Sequence, residues 1–264
     1  MINRGVVCAA VLMLGVLALT GTGAQAETFI GYQLPSFIEF PGGTAADGIS
    51  SQIAYTACEN MYYVGASVIR QKRETPSGTV LTSTDGSALV GLGLGKCRKH
   101  PLELSLTVGD VSAFSDIFYN AKALVTPETR GTPAMAIGAE DITDTARSAQ
   151  AERSVYAVAT KSIWSRRRVE AGDPLFARSV VSLGYGTGRF GHKPFAAFST
   201  SVSPRSKAIV ELVDNDLNAG ISLAPFRDYP GVVGIIGGMR LNDSKLRTIT
   251  AGVGITFWKE ELAE

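Results

Sequence analysis

A chain of 264 residues with 25 basic and 24 acidic side chains is close to neutral, and it carries no basic stripe of the kind that tracks a phosphate backbone. That argues against nucleic acid as a partner. With 45% hydrophobic residues recurring throughout, the chain can bury a core, so disorder is excluded as well.

The first element is an export signal. Arg4 precedes an unbroken apolar or small stretch from Val6 to Leu19, and Ala24-Gln25-Ala26 supplies an A-x-A cleavage site. Cleavage there divides the chain into a signal peptide, residues 1–26, and a mature domain, residues 27–264. Losing Arg4 brings the basic count from 25 to 24, level with the 24 acidic residues. Cys8 departs with the signal, which leaves Cys58 and Cys97 as an even pair in an oxidising compartment. A disulfide between them would close a loop of roughly 40 residues, worth about 4 kcal/mol in the chain-entropy model. Two unpaired thiols are the alternative, and in either state the pair reads as structural. His100 and His192 stand too far apart in sequence to make a metal constellation with them, and no cofactor is expected.

Glu27 to Asp47 is a mixed opening broken by Pro35 and Pro41. From Tyr62 onward the chain alternates between apolar and small or polar residues with a period of two, the signature of strands with two unlike faces. The segments are Tyr62 to Ile69, Ala88 to Gly95, Leu102 to Gly109, Asp116 to Val125, Ala134 to Asp141 and Ser154 to Trp164. They continue with Ser179 to Gly186, Phe195 to Val202, Ala208 to Val213, Leu217 to Leu223, Val232 to Leu241 and Thr248 to Trp258. Clusters such as Asp85-Gly86, Asp214-Asn215-Asp216 and Leu241-Asn242-Asp243-Ser244 read as the turns between them. Asp144 to Glu152 is the one helical candidate, and it lacks an apolar stripe.

The faces decide the environment. In the last segment Ile249, Ala251, Val253, Ile255 and Phe257 oppose Thr248, Thr250, Gly252, Gly254 and Thr256. A solvated exterior usually carries Lys and Glu, whereas this second face is small and uncharged. In lipid every backbone amide must be satisfied, which requires a closed sheet, apolar outside and free to be polar inside. The expectation is therefore an all-β fold: a single antiparallel transmembrane β-barrel of 10–12 strands in the outer membrane, following a cleaved signal peptide. Aromatics near strand ends (Tyr62, Tyr119, Trp164, Tyr185, Phe257, Trp258) are candidates for interfacial girdles. The alternative is a soluble periplasmic β-barrel or sandwich binding a lipid or sugar, with the apolar face inward.

Between residues 133 and 223 a series of short motifs recurs in a definite order. Ala136-Ile137-Gly138-Ala139-Glu140-Asp141-Ile142 comes first, then Ala157-Val158-Ala159-Thr160-Lys161, then Leu183-Gly184-Tyr185-Gly186-Thr187-Gly188-Arg189-Phe190. Glu211 and the run Asp214 to Gly220 follow. This order resembles the YjbH-like family of outer-membrane proteins associated with exopolysaccharide production. The resemblance implies an outer-membrane protein linked to polysaccharide secretion, with outer-membrane lipid, a polysaccharide and export-complex proteins as partners. It supplies no catalytic site. Members are often much longer, the region before Thr126 carries none of these motifs, and Lys259 to Glu264 extend past the terminal aromatics.

The remaining motifs are weak. Gly186 to Gly191 satisfies G-x-G-x-x-G, but His192, Lys193, Pro194 and another strand follow where a dinucleotide fold needs a helix, so it reads as a hairpin. Asp214, Asp216 and Asn218 alternate like calcium ligands without the EF-hand's glycine and terminal glutamate, so a self-capped turn is preferred. Arg166, Arg167 and Arg168 are candidates to contact an acidic glycan or a lipid phosphate, or form a solvated loop. Glu103, Glu140, Lys161 and Glu211 are candidates to line the lumen, setting its polarity for a sugar or pairing with one another. No G-x-S-x-G elbow or Cys–His arrangement is present, so the expected role is non-enzymatic.

Overall fold

The computed structural model describes residues 48–74, 80–97, 99–111, 115–129, 131–144, 153–165, 178–203, 205–226, 231–243 and 247–258. Within them the chain forms strands β1 (Met61–Glu74), β2 (Val80–Leu94), β3 (Leu102–Asp110), β4 (Ser115–Thr126), β5 (Ala134–Glu140) and β6 (Ser154–Ser165). After β7 (Arg178–Gly186) a 3-10 turn, Gly188–Phe190, leads to β8 (Lys193–Ser203), β9 (Ser206–Val213), β10 (Asp216–Leu223), β11 (Val232–Met239) and β12 (Thr248–Trp258). Each strand pairs antiparallel with its sequence neighbours, and β1 closes on β12 from Met61 opposite Trp258 to Gln71 opposite Thr248. The sheet is a closed twelve-stranded barrel with no free edge. No helix among the described residues is long and apolar enough to cross a membrane.

All twelve alternating segments of the sequence fall on these strands, and the faces follow the predicted phase. Val64, Val90, Leu104, Ile137, Val155, Leu183, Val210, Ile221, Ile236 and Ile249 all stand exposed on the outside. Residues of the opposite phase, among them Ser67, Ser87, Thr107, Thr160, Ser182, Ser199, Ser222 and Thr250, are buried within. A water-soluble barrel would have the opposite polarity. An apolar exterior around a sheet in which every strand pairs on both sides is the arrangement a hydrocarbon layer requires. The fold is a transmembrane β-barrel. Tyr62 and Phe257, opposite one another, are exposed at one rim, and Tyr185 lies close to the other.

Inside, three large aromatic side chains are accommodated by glycine directly across the ladder. Tyr63 opposes Gly91, Tyr156 opposes Gly138 and Phe195 opposes Gly184. A Cβ at Gly91, Gly138 or Gly184 would fall 2.1, 2.3 or 2.2 Å from the facing ring. Each ring therefore lies flat over its neighbour's backbone, filling the lumen without pushing the strands apart.

Two turn expectations divide. Asp214 and Asn215 have φ of 49° and 70°, the paired positive values of a type I′ hairpin between β9 and β10. Asp85-Gly86, by contrast, is not a turn: both residues sit inside β2, opposite Ile69 and Val68 of β1. The continuous ladder outweighs the local preference of a single Asp-Gly pair. The signal peptide, the Glu27 to Asp47 opening, most of the Asp144 to Glu152 segment and Arg166 to Arg168 lie outside the described residues.

Candidate functional site in the barrel lumen

Residues Gly48 to Asn60 belong to no strand, yet they are among the most buried in the protein. Ile49, Ala54 and Ala57 have no exposed surface, and Ser50, Ser51, Ile53, Thr56 and Cys58 have about a hundredth of theirs. The segment runs inside the barrel. Because the strands alternate in direction, the start of β1, the end of β12 and the turns after β2, β4, β8 and β10 share one rim, here the terminal rim. Met61 begins β1 there, and the sharp reversal from plug to strand is made at Asn60, whose φ of 67° is the left-handed conformation asparagine tolerates.

The contacts trace the path. Close to the terminal rim, Cys58 is disulfide-bonded to Cys97 in the turn after β2, and Glu59 N–H donates to the Gly95 carbonyl. A Cβ on Gly93 would lie 2.2 Å from the Cys58 nitrogen, so the plug's backbone is laid directly on β2. Ala57 N–H donates to Glu103 Oε2 at 3.0 Å. Midway, Ala54 N–H donates to Thr160 Oγ1 at 2.8 Å. Toward the far rim, Gln52 Nε2 donates to Glu140 Oε1 at 2.7 Å, and Ile49 packs over Gly220 and Gly237.

Glu211 holds the far end. Its carboxylate accepts from the backbone N–H groups of Ile49 (2.6 Å), Ser50 (2.9 Å) and Ser51 (3.1 Å) and from the hydroxyls of Ser50 and Ser51 (both 2.7 Å). Asn218 Nδ2 adds a bond to Ser50 Oγ at 2.9 Å. Three successive N–H groups converging on an anion form the concavity that polypeptides use for carboxylates and phosphates, here occupied by the barrel's own side chain.

Arg189 and Phe190 pack beside it. Phe190, at the base of the turn after β7, is fully buried and stacks on Phe195 at 4.6 Å, with Arg189 over its ring at 4.1 Å. Arg189 donates from Nε to Glu140, from Nη2 to Glu140 Oε1 at 2.8 Å and from Nη1 to the Ser50 carbonyl at 3.1 Å. Burial acts to lower the pKa of this guanidinium, but the Glu140 carboxylate outweighs it and holds the group above its ordinary value. The glycine-rich motif of the sequence is thus a hairpin whose positive-φ residues, Gly188 and Gly191, aim an arginine inward.

Of the four lumen candidates, Glu103, Glu140 and Glu211 project inward, and all three bind the plug. Glu103 also accepts from Tyr63 Oη at 2.9 Å and pairs with Lys122 at 3.1 Å. Lys161 is corrected. Strand alternation places it on the outer face of β6, where a register shift between Ser162 and Trp164 ends the regular ladder. Its ammonium turns over the terminal rim to Glu128, at 3.3 Å, and to the carbonyls of Thr129 and Thr132. The calcium-like trio is otherwise engaged: Asp214 with Lys193, Asp216 with Arg240, and Asn218 with Ser50. The described residues include no group of three or more His, Cys, Asp and Glu arranged to hold a metal.

Sequence reasoning missed the plug. Gly48 to Asn60 has no two-residue period, and its acceptors lie as far as 162 positions away. The run of small residues before the first strand, with Cys58 near its end, was the one available signal.

Fold and lumen together define the class: a twelve-stranded membrane barrel whose lumen holds residues 48–60, the segment just before its first strand. No protein-family model matches the sequence, and no curated protein does. Among solved structures, the chain is similar to an outer membrane channel from Pseudomonas putida F1, with 11% identity and a TM-score of 0.47 over 78% of this chain and 99% of that one. It is also similar to the translocator domain of the autotransporter NalP from Neisseria meningitidis, with 11% identity and a TM-score of 0.41 over 76% and 88%. With TM-scores below 0.5, neither likeness carries a function to this chain.

Proposed function

We propose that the protein is a non-enzymatic outer-membrane β-barrel that assists export or surface assembly of an exopolysaccharide. The observation that carries the membrane part is the exposed apolar exterior of a fully closed sheet, with hydroxyls, amides and carboxylates buried inside beside apolar clusters. The predicted signal peptide provides the route to that membrane. The polysaccharide is supported by the resemblance to YjbH-like proteins between residues 133 and 223. Residues 48–60 occupy the lumen a polymer would need, which favours an accessory role beside an export complex over a conduit. Arg166, Arg167 and Arg168, which follow β6 in the sequence, are its candidates for contacting an acidic glycan or lipid phosphate.

Cell fractionation with a gel-mobility assay tests the first part. The mature chain is expected in the outer membrane and to migrate differently before and after boiling; a soluble periplasmic protein without a shift overturns the barrel's placement. Surface polysaccharide measured in a deletion strain tests the second. A reduced or poorly retained coat is expected, and an unchanged one removes the polysaccharide from the reading.

A further inference from the structure

We propose that the barrel is a latent channel gated by residues 48–60, and that release of this plug admits small ions and neutral polyhydroxylated solutes. The inference rests on the membrane half of the proposed function and is independent of the polysaccharide.

The plug is anchored asymmetrically. At the terminal rim it is held covalently, through the chain itself at Met61 and through the Cys58–Cys97 bond, and by the Glu59 to Gly95 backbone bond. From Ala57 back to Ile49, the N–H donors named above bond to side chains of the wall: Glu103, Thr160, Glu140 and Glu211. The plug adds no strand to the sheet, so withdrawing it breaks no ladder. It exchanges side-chain acceptors for water, and the barrel stays closed on itself. Three of these bonds and two hydroxyl contacts meet on one group, Glu211, at the end farthest from the disulfide. That geometry is a tether at one end and a latch at the other.

The wall left behind fits hydrated polar solutes. Twelve strands fall between barrels of about eight, whose interiors side chains fill, and those of about sixteen, which hold an aqueous channel. Ser67, Ser87, Thr160, Ser199, Ser222 and Thr256 would present hydroxyls to the opened space. Glu103 is compensated by Lys122 and Glu140 by Arg189, and Lys207, buried on the same face of β9 as Glu211, offsets the third carboxylate, so the wall has little net charge with which to select ions by sign. With hydroxyls set between buried apolar side chains such as Ile209, Val233 and Ile235, and near neutral, it suits sugars as well as salts.

Single-channel recording of the purified mature chain in planar lipid bilayers, with liposome swelling in glucose, tests this. The unaltered protein is expected to be mostly closed. Glu211→Ala is expected to raise open time at least tenfold and to admit glucose, and Ser50→Ala with Ser51→Ala, which spares the carboxylate, to do so more weakly. In the Glu211→Ala protein, Ser50→Cys and Asn218→Cys joined by a short bis-methanethiosulfonate cross-linker, each thiolate displacing methanesulfinate to form a disulfide, should close it again. A folded, inserted Glu211→Ala barrel that conducts no more than the parent overturns the gate, as does a cross-linked one that still conducts freely. If Glu211→Ala does not fold, the serine pair decides, with parental conductance as the overturning result. A chain that neither shifts on boiling nor inserts into vesicles overturns the membrane reading, and the gate with it.

Discussion

Replacing Glu103 with leucine should be among the most damaging single changes in the lumen, and a second substitution should repair part of it. Glu103 serves three partners: the Lys122 ammonium at 3.1 Å, the Tyr63 hydroxyl at 2.9 Å and the Ala57 amide at 3.0 Å. The Lys122 and Glu103 side chains retain only 5% and 11% of their exposure, so this is a buried pair and not a surface one. Removing one member of such a pair costs about 3–5 kcal/mol, because the other is left as an uncompensated charge. Two further donors lose their acceptor, at about 1–3 kcal/mol each. Glu103→Leu alone should therefore cost at least about 5 kcal/mol. Adding Lys122→Met removes the stranded charge and leaves only the orphaned donors, so the double variant should recover about 3 kcal/mol relative to the single. Urea unfolding in phospholipid vesicles, followed by the fraction of unboiled fast-migrating band, measures both. If Lys122→Met fails to raise stability in the Glu103→Leu background, the ammonium is already solvated and the lumen beneath the disulfide is not dry.

Gly93→Val should prevent the plug from seating, since its Cβ would lie 2.2–2.4 Å from backbone atoms of Cys58 and Ala57, whereas Gly234→Ala meets nothing nearer than 4.0 Å and should fold like the parent; refolding yield in detergent separates the two. Cys58→Ser should lower stability by up to about 4 kcal/mol in the chain-entropy model for a 39-residue separation, and cost the unreduced chain its faster migration on a denaturing gel relative to the reduced one. A tag inserted ahead of Gly48 should be reached from the same side of the membrane as His192→Cys, and from the opposite side to Arg205→Cys, because the plug crosses from the far rim to the terminal rim; impermeant labelling of intact and lysed cells reads the sidedness, and a tag that labels with Arg205→Cys contradicts the threading.

The sequence by itself determined the wall. Side chains on a strand alternate strictly, so a chain placed between lipid and a polar interior must write its two faces in alternate letters. Ile249, Ala251, Val253, Ile255 and Phe257 against Thr248, Thr250, Gly252, Gly254 and Thr256 can be read without coordinates, and so can the inward phase of Glu103, Glu140 and Glu211. Lys161 escaped that reading because it stands one residue out of phase, beside a register shift that no composition announces. Asp85-Gly86 escaped it because a turn preference worth little was overruled by the ladder to β1, with the Val111 N–H bonding the Gly86 carbonyl on the other side.

Only the tertiary structure decided what fills the barrel. Ile49, Ser50 and Ser51 carry no pattern of their own; they are buried because a carboxylate 160 or more positions later satisfies their amides in a space the strands alone enclose. The glycines opposite Tyr63, Tyr156 and Phe195 look like flexible strand residues until the register sets each one under a ring. Local periodicity reports which solvent a face meets, and that is a property of one strand at a time. Whether the interior is open or stoppered depends on which remote groups meet across the closed sheet, and pairwise contacts of that kind leave no period in the chain.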